Sequence, residues 1–112
     1  MLDNELYQSL LRDLDKALSL SENGQDNKSR VVARMVAGKA IRELYIQLNF
    51  SSSLSLNPYQ YLILAKNQVD IFTQILEDLE ALTAKVNQDY SFPENLDLIS
   101  AAKNIIIFAE KY

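Results

Sequence analysis

Apolar residues recur every three or four positions along most of this chain, and that period is typical of helices rather than strands. The most regular stretch runs from residue 58 to residue 86. One apolar row in it follows a 3-4-3-4-3 spacing, through Leu62, Ala65, Val69, Phe72, Leu76 and Leu79. A second row lies about 100° around the helix, at Leu64, Ile71, Ile75 and Leu82. Two adjacent apolar rows contact two neighbours, so we expect this third helix to occupy the centre of the fold.

Three other segments carry an apolar face and complete the set of helices. The spacing predicts helices near residues 2–20, 29–49 and 93–111, joined by short polar stretches. Gly24 lies in the first polar stretch and is expected to end the first helix. Short connections between helices of similar length favour antiparallel neighbours. The 112 residues therefore predict one all-α domain, 1–112, folded as an antiparallel four-helix bundle.

Two of the helices are preceded by start signals. Asn57 is placed to cap the third helix, Pro58 suits its first turn, and Gln60 can return a hydrogen bond to the capping residue. Ser91 and Glu94 form a similar signal before the fourth helix. These signals place the two helix starts near residues 58 and 93.

The composition excludes several kinds of active site. The chain has no His and no Cys, so it lacks thiol nucleophiles, imidazole acid–base catalysis and zinc sites built from those side chains. Carboxylates are the plentiful reactive groups. Glu77 and Glu80 share a helix face, which we interpret as a solvated acidic surface. We therefore expect no catalytic residue, no metal site and no cofactor, and we do not expect an enzyme.

Charge is unevenly distributed along the chain. Eleven basic residues against fifteen acidic ones give a net charge of −4, and such a surface repels nucleic acid and anionic membranes. The segment 28–42 nevertheless has five cations and no acid. The simplest interpretation is a basic helix packed beside acidic ones. The alternative is a functional basic patch, for which Arg30, Arg34 and Arg42 are the candidate residues.

The location expected from the sequence is the cytoplasm. The first residues do not show the basic start and apolar stretch of a secretory signal. The longest uninterrupted apolar run, Ile105–Ala109, is far too short to span a bilayer, so no transmembrane segment is expected.

A strip of apolar residues near the end of the fourth helix is the candidate binding surface. Four consecutive apolar residues go right round a helix, so Ile107 and Phe108 should point away from the bundle. Leu96 falls on the same line, and Tyr112 extends it. An exposed apolar strip indicates a protein partner. The alternatives are that the first helix or the 51–56 loop covers the strip, or that it closes a weak dimer of otherwise monomeric chains.

The segments 29–36 and 44–50, the polar turn after them and the helix 59–75 resemble the immunity proteins of class II bacteriocins. These small cytosolic proteins protect lactic acid bacteria from their own bacteriocins. The resemblance implies an antiparallel four-helix bundle acting at the inner face of the membrane. There it would lock a receptor complex of the mannose phosphotransferase type after the bacteriocin has engaged it, with the C-terminal part setting specificity.

A second resemblance leads to another class of binding protein. Lys16 and Ala17, the polar turn after them and the segment 40–49 are similar to the helical hairpin of flagellar export chaperones. The acidity of the chain fits those chaperones better, because many immunity proteins are basic. This resemblance implies that a groove between the second and third helices clasps an amphipathic helix of an export client. Arg30, Arg34 and Arg42 would then meet acidic groups on the client.

Overall fold

The computed structural model describes residues 1–49, 56–84 and 97–112. All regular structure in these ranges is helical, so the all-α prediction is confirmed. The helices are α1 (Asn4–Glu22), α2 (Asp26–Gln47), α3 (Pro58–Lys66), α4 (Val69–Phe72), α5 (Leu76–Thr83) and α6 (Leu98–Lys111). A single turn of 3-10 helix, Thr73–Ile75, joins α4 to α5.

The first two helices form a hairpin whose ends follow from local chemistry. Asp3 caps α1 by accepting a hydrogen bond from the backbone N–H of Leu6 at 2.8 Å. Gly24 has a φ of +77°, a left-handed conformation that favours glycine, and it lies in the turn that separates α1 from α2. The buried hydroxyl of Ser29 then donates to the carbonyl oxygen of Ala17 at 2.6 Å and ties the two helices together. The predicted end of the first helix is confirmed.

The start of α3 is also confirmed. The Asn57 side chain accepts a hydrogen bond from the backbone N–H of Gln60 at 2.9 Å, and the Gln60 side chain accepts one from the backbone N–H of Asn57 at 2.9 Å. Pro58 occupies the first turn, where it leaves no helical hydrogen bond unmade. A capping box with Pro is therefore what fixes this helix end.

The prediction of one continuous helix over residues 58–86 is wrong, because α3 ends at Lys66. Asn67 and Gln68 form a turn, and the backbone N–H of Asn67 is shared between the carbonyl oxygens of Ile63 and Leu64. Asn favours such helix ends because its side chain competes with helical hydrogen bonds. The turn also allows the side-chain carbonyl of Gln68 to accept a hydrogen bond from the Tyr45 hydroxyl at 2.8 Å.

The buried side of the chain widens after the interruption. Before it, the buried residues Leu62 and Ala65 belong to the first predicted apolar row, and Leu64 of the second row is half-buried. After it, Ile75 and Leu82 of the second row are buried together with Phe72 and Leu79 of the first, whereas Leu76 of the first row is only half-buried. A regular 3-4 spacing in sequence therefore does not correspond to one continuous seam in the fold.

The region predicted as a single third helix is a hairpin. Pro58 packs against Gly38, and farther along both helices the Tyr61 ring centroid lies 5.8 Å from that of Tyr45. The chains of α2 and α3 therefore run in the same direction where the helices pack together. The chain then reverses through α4, and the end of α5 returns to Arg34. Antiparallel packing is retained between α5 and α6, and between α1 and its two neighbours α2 and α6.

The helix at the centre of the fold is α2 rather than the third helix of the prediction. It packs against α1, α3 and α6, and its inner side is fully buried. Small residues on that side allow the neighbours to approach closely. The buried apolar residues of α2 are Ala33, Val36, Ala37, Ala40, Ile41, Leu44 and Tyr45.

The last helix begins at Leu98. Asp97 has an extended backbone and caps α6 by accepting hydrogen bonds from the backbone N–H of Ser100 at 3.0 Å and from its hydroxyl at 2.8 Å. The predicted start signal at residues 91–94 lies outside the described residues. The spacing of Leu10, Leu14 and Leu18 in the sequence predicts that all three face the core, but Leu18 is exposed. None of the described helices combines the length and apolar character needed to cross a membrane.

Candidate docking groove

A row of aromatic rings leads from the core of the bundle to its surface. Each ring contacts the next, with centroid separations of 5.8, 6.0, 5.9 and 5.6 Å. In order, the rings are Tyr61, Tyr45, Phe72, Phe108 and Tyr112. Phe72 is fully buried, whereas Tyr112 is 48% exposed. Tilted and offset aromatic pairs at these distances are mutually attractive, so the exposed end of the row is held by its buried end.

The exposed end of this row forms one wall of a groove. The docking groove lies between α6 and the segment from Asp70 to Asp78, and its volume is about 630 Å³. Its apolar surface comes from five residues on the two sides. They are Ile71 and Ile75 on the first wall, and Ile107, Phe108 and Tyr112 on the second.

The rim of the docking groove is polar and carries charges of both signs. Asp78 accepts a hydrogen bond from the side-chain amide of Asn104 at 3.2 Å, a contact that joins the two walls. Burial raises the pKa of Asp78 above its ordinary value, and the neighbouring charge of Glu77 raises it further, while the bond from Asn104 acts in the opposite direction. Lys111 lies on the α6 side of the rim and Asp70 on the other. An apolar floor with a charged rim suits a polypeptide ligand.

The structure brings together three of the residues predicted from the sequence, namely Ile107, Phe108 and Tyr112. The prediction that Phe108 points away from the bundle is wrong, because its ring rests on Phe72 and is half-buried. Ile107 is half-buried as well. The predicted strip is therefore one wall of a groove rather than an isolated ridge. Leu96, the fourth member of the strip, lies outside the described residues.

Arg34, another predicted binding residue, has a role within the monomer. Its guanidinium donates a hydrogen bond to the carbonyl oxygen of Ala84 at 2.7 Å and lies 5.6 Å from the centre of the Tyr59 ring. The Tyr59 hydroxyl donates to the adjacent carbonyl of Thr83 at 3.3 Å. These two donors cap the carbonyl end of α5, where the helix dipole favours a cation. Burial lowers the pKa of Arg34, opposed by its electrostatic interaction with Tyr59.

The three predicted arginines do not form one patch. Arg30 is half-buried beside the start of α6, close to Asp97 and Ser100. Arg42 is exposed farther along α2, and none of the three lines the docking groove. The basic residues predicted as binding residues on α2 are therefore not part of the docking groove.

Sequence patterns missed the wall opposite α6. The apolar spacing places Ile71 and Ile75 in a helix row facing a neighbour, and the predicted acidic face consists of Glu77 and Glu80 without Asp78. The signal for this wall is the polar pair Asn67 and Gln68, which ends α3 although the apolar spacing continues across it, and which marks the reversal that brings the segment onto α6. The described ranges contain no group of three or more acidic, His or Cys side chains arranged to hold a metal ion.

No family model matches the chain, and neither the curated proteins nor the solved structures give a significant match.

Proposed function

We propose that this protein is a non-catalytic binding protein that recognises another protein through the docking groove. Within that class, we propose a bacteriocin immunity protein that acts from the cytoplasmic side on a bacteriocin–receptor complex of the mannose phosphotransferase type. The observation that supports binding is the aromatic row, which ends in the groove at Phe108 and Tyr112. The choice of immunity rests on the resemblance of the helices and on the all-α fold.

The geometry of the docking groove suits an apolar anchor side chain. A partner residue inserted between Ile71 on one wall and Phe108 on the other would bury apolar surface on both sides. Full burial of one large apolar side chain is worth about 1.5–3 kcal/mol. Phe108 is already fixed by Phe72, so little conformational freedom is lost at this wall on binding. Such preorganised aromatic anchors are characteristic of the residues that dominate protein interfaces.

The export-chaperone alternative receives less support from the same structure. It requires a client groove between the second and third helices, yet α2 and α3 are in backbone contact where Gly38 meets Pro58. It also requires three arginines to bind acidic groups of the client, but one of them, Arg34, already caps α5. The packing of α2 against α3 therefore supports the immunity proposal better than an export chaperone.

Protection in living cells tests the immunity proposal. The protein is expressed in a bacteriocin-sensitive strain that is then exposed to a panel of class II bacteriocins. We expect resistance to at least one peptide. We expect the double variant Ile107→Ser, Tyr112→Ser to lose that resistance, because it removes apolar surface from the docking groove without touching the buried core.

The matched control is Leu18→Ser, because Leu18 is 46% exposed, about as much as Tyr112, and lies outside the groove. Circular dichroism checks that all variants remain helical. Unchanged killing across the whole panel by the wild-type protein would overturn the immunity proposal. Resistance that survives the groove variant would overturn the role of the groove.

A further inference from the structure

The outer side of α2 carries large apolar residues that the described part of the bundle leaves exposed. Val31 is 59% exposed, Met35 40% and Ile46 47%. Three exposed cations lie among them along the same side of the helix. We call this surface the α2 outer face, and its six residues are Lys28, Val31, Met35, Lys39, Arg42 and Ile46.

These six residues form one continuous ridge. At ~100° per residue they fall within an arc of about 80°, and at 1.5 Å per residue the ridge is about 27 Å long. No acidic residue of α2 lies within that arc. The nearest is Glu43, about 40° beyond its edge. Glu43 is half-buried and accepts a hydrogen bond from the Gln47 side chain at 3.3 Å. The ridge is therefore both apolar and uniformly basic.

We propose that the α2 outer face binds the surface of a membrane containing anionic phospholipids. Net charge alone predicts that a chain of −4 is repelled by such a membrane, but the local charge on this face has the opposite sign. Each cation near an anionic bilayer contributes favourably to the free energy of membrane binding. The apolar side chains among the cations can enter the boundary between headgroups and acyl chains. The membrane thus complements both properties of the face.

The position of the cations favours lipid over a protein partner. Lys39 lies along the ridge between Met35 and Ile46, and Lys28 begins the ridge one turn before Val31. Lysine is depleted from the cores of protein interfaces, because its ammonium group would have to be desolvated there. At a bilayer surface the same side chain extends its charged end to the headgroups while its methylene stem stays with the apolar residues. A convex ridge on one helix also fits a lipid surface without a matching cavity.

This inference is independent of the proposed function. The opposite side of α2 packs on α6, so the outer face and the docking groove lie on different parts of the bundle and share no residue. Substitutions on the outer face leave all residues of the groove in place. The two proposals can consequently fail separately.

Vesicle flotation with the full-length protein tests the proposal. We expect the protein to float with vesicles of phosphatidylcholine and phosphatidylglycerol, to remain unbound with phosphatidylcholine alone, and to be released by added salt. The double variant Lys39→Gln, Arg42→Gln should bind about 30-fold more weakly, which corresponds to the loss of two cation contributions. The matched control, Lys16→Gln with Lys103→Gln, removes two exposed cations elsewhere and should bind like the wild-type protein.

The apolar contribution is tested separately with Met35→Ser and Ile46→Ser combined, which should also weaken binding to the anionic vesicles. Because all these positions are exposed, the variants are expected to fold, and circular dichroism checks this. The proposal is overturned if the wild-type protein does not bind anionic vesicles. It is also overturned if the control pair loses as much binding as the outer-face pair, or if the serine variant binds as tightly as the wild-type protein. Retention on immobilised polyglutamate without vesicle binding would assign the face to an acidic protein and equally overturn the lipid proposal.

Discussion

Replacement of Gly38 by alanine tests how closely two helices approach at the centre of the fold. A Cβ atom added at Gly38 would lie 2.5 Å from both the carbonyl carbon and the Cβ of Pro58, and it would also meet the Pro58 carbonyl oxygen. Non-bonded carbon atoms rest at about 3.5–4.0 Å, so the start of α3 must move by about 1 Å or more. The obstructing atoms are mostly backbone, which cannot rotate away.

Two opposing effects determine the stability of Gly38→Ala. Alanine in a helix interior stabilises the helix by about 1 kcal/mol relative to glycine. Overpacking of a closely packed contact costs roughly 1–3 kcal/mol, and we take about 3 kcal/mol because backbone atoms of a capped helix start must move. The net loss is then about 2 kcal/mol in the free energy of unfolding. With an unfolding entropy of about 2.1 cal/mol/K per residue over 112 residues, the Tm falls by about 8 °C.

The assay is thermal and urea unfolding followed by circular dichroism. Lys39→Ala is the control, because it places alanine at the neighbouring exposed position of α2 and should change stability by less than about 0.5 kcal/mol. Gly24 offers a second comparison, since its φ of +77° favours glycine while nothing lies within 4 Å of an added Cβ. Asparagine should be tolerated better than alanine at Gly24, and worse than alanine at Gly38. A higher Tm for Gly38→Ala, or the same order of residues at both sites, would refute the close-contact argument.

Three further predictions concern single side chains. Burial raises the pKa of Tyr45 from 10.0 to about 12, so between these pH values the unfolded chain releases a proton that the folded protein retains. The free energy of unfolding should therefore fall with rising pH in that window, and less steeply in Tyr45→Phe, as measured by urea titrations at each pH. Asp97→Ala should cost about 1 kcal/mol at neutral pH through loss of the helix cap. Hydrogen bonds from Ser100 lower the pKa of Asp97, so this difference should disappear as the pH falls through the folded-state value in acid unfolding measurements. Arg34→Met should cost about 1–2 kcal/mol, because the carbonyl of Ala84 loses a charged donor, and hydrogen exchange should report earlier opening at the end of α5.

The parts of the fold that the sequence predicted correctly depend on local chemistry. The capping box of Asn57 and Gln60 and the turn at Gly24 involve residues within a few positions of each other, and their geometry does not depend on the rest of the molecule. The overall helical class follows from periodicity, which many residues share. Such features can be predicted without knowing which helices pack together.

The errors concern features that depend on distant contacts. The third helix matched a continuous seam in spacing, but the hydrogen bond from Tyr45 to Gln68 and the packing of Phe72 against Tyr45 belong to the reversal between α3 and α5. Gly38 is a signal of close packing, because a glycine inside a helix is unfavourable unless another backbone needs the space. Its partner, Pro58, could not be identified from the sequence alone.

The interruption of the third helix is also what produces the docking groove. In a straight helix over residues 58–86, Phe72 and Leu76 would share one seam and Ile71 and Ile75 another. The reversal instead places Phe72 between Tyr45 and Phe108, and it leaves Ile71 at the surface beside α6. The candidate site therefore lies where the regular apolar spacing ceases to describe the structure. A departure from a local rule that costs helical hydrogen bonds and yet forms a recessed apolar surface is expected where a protein binds a partner.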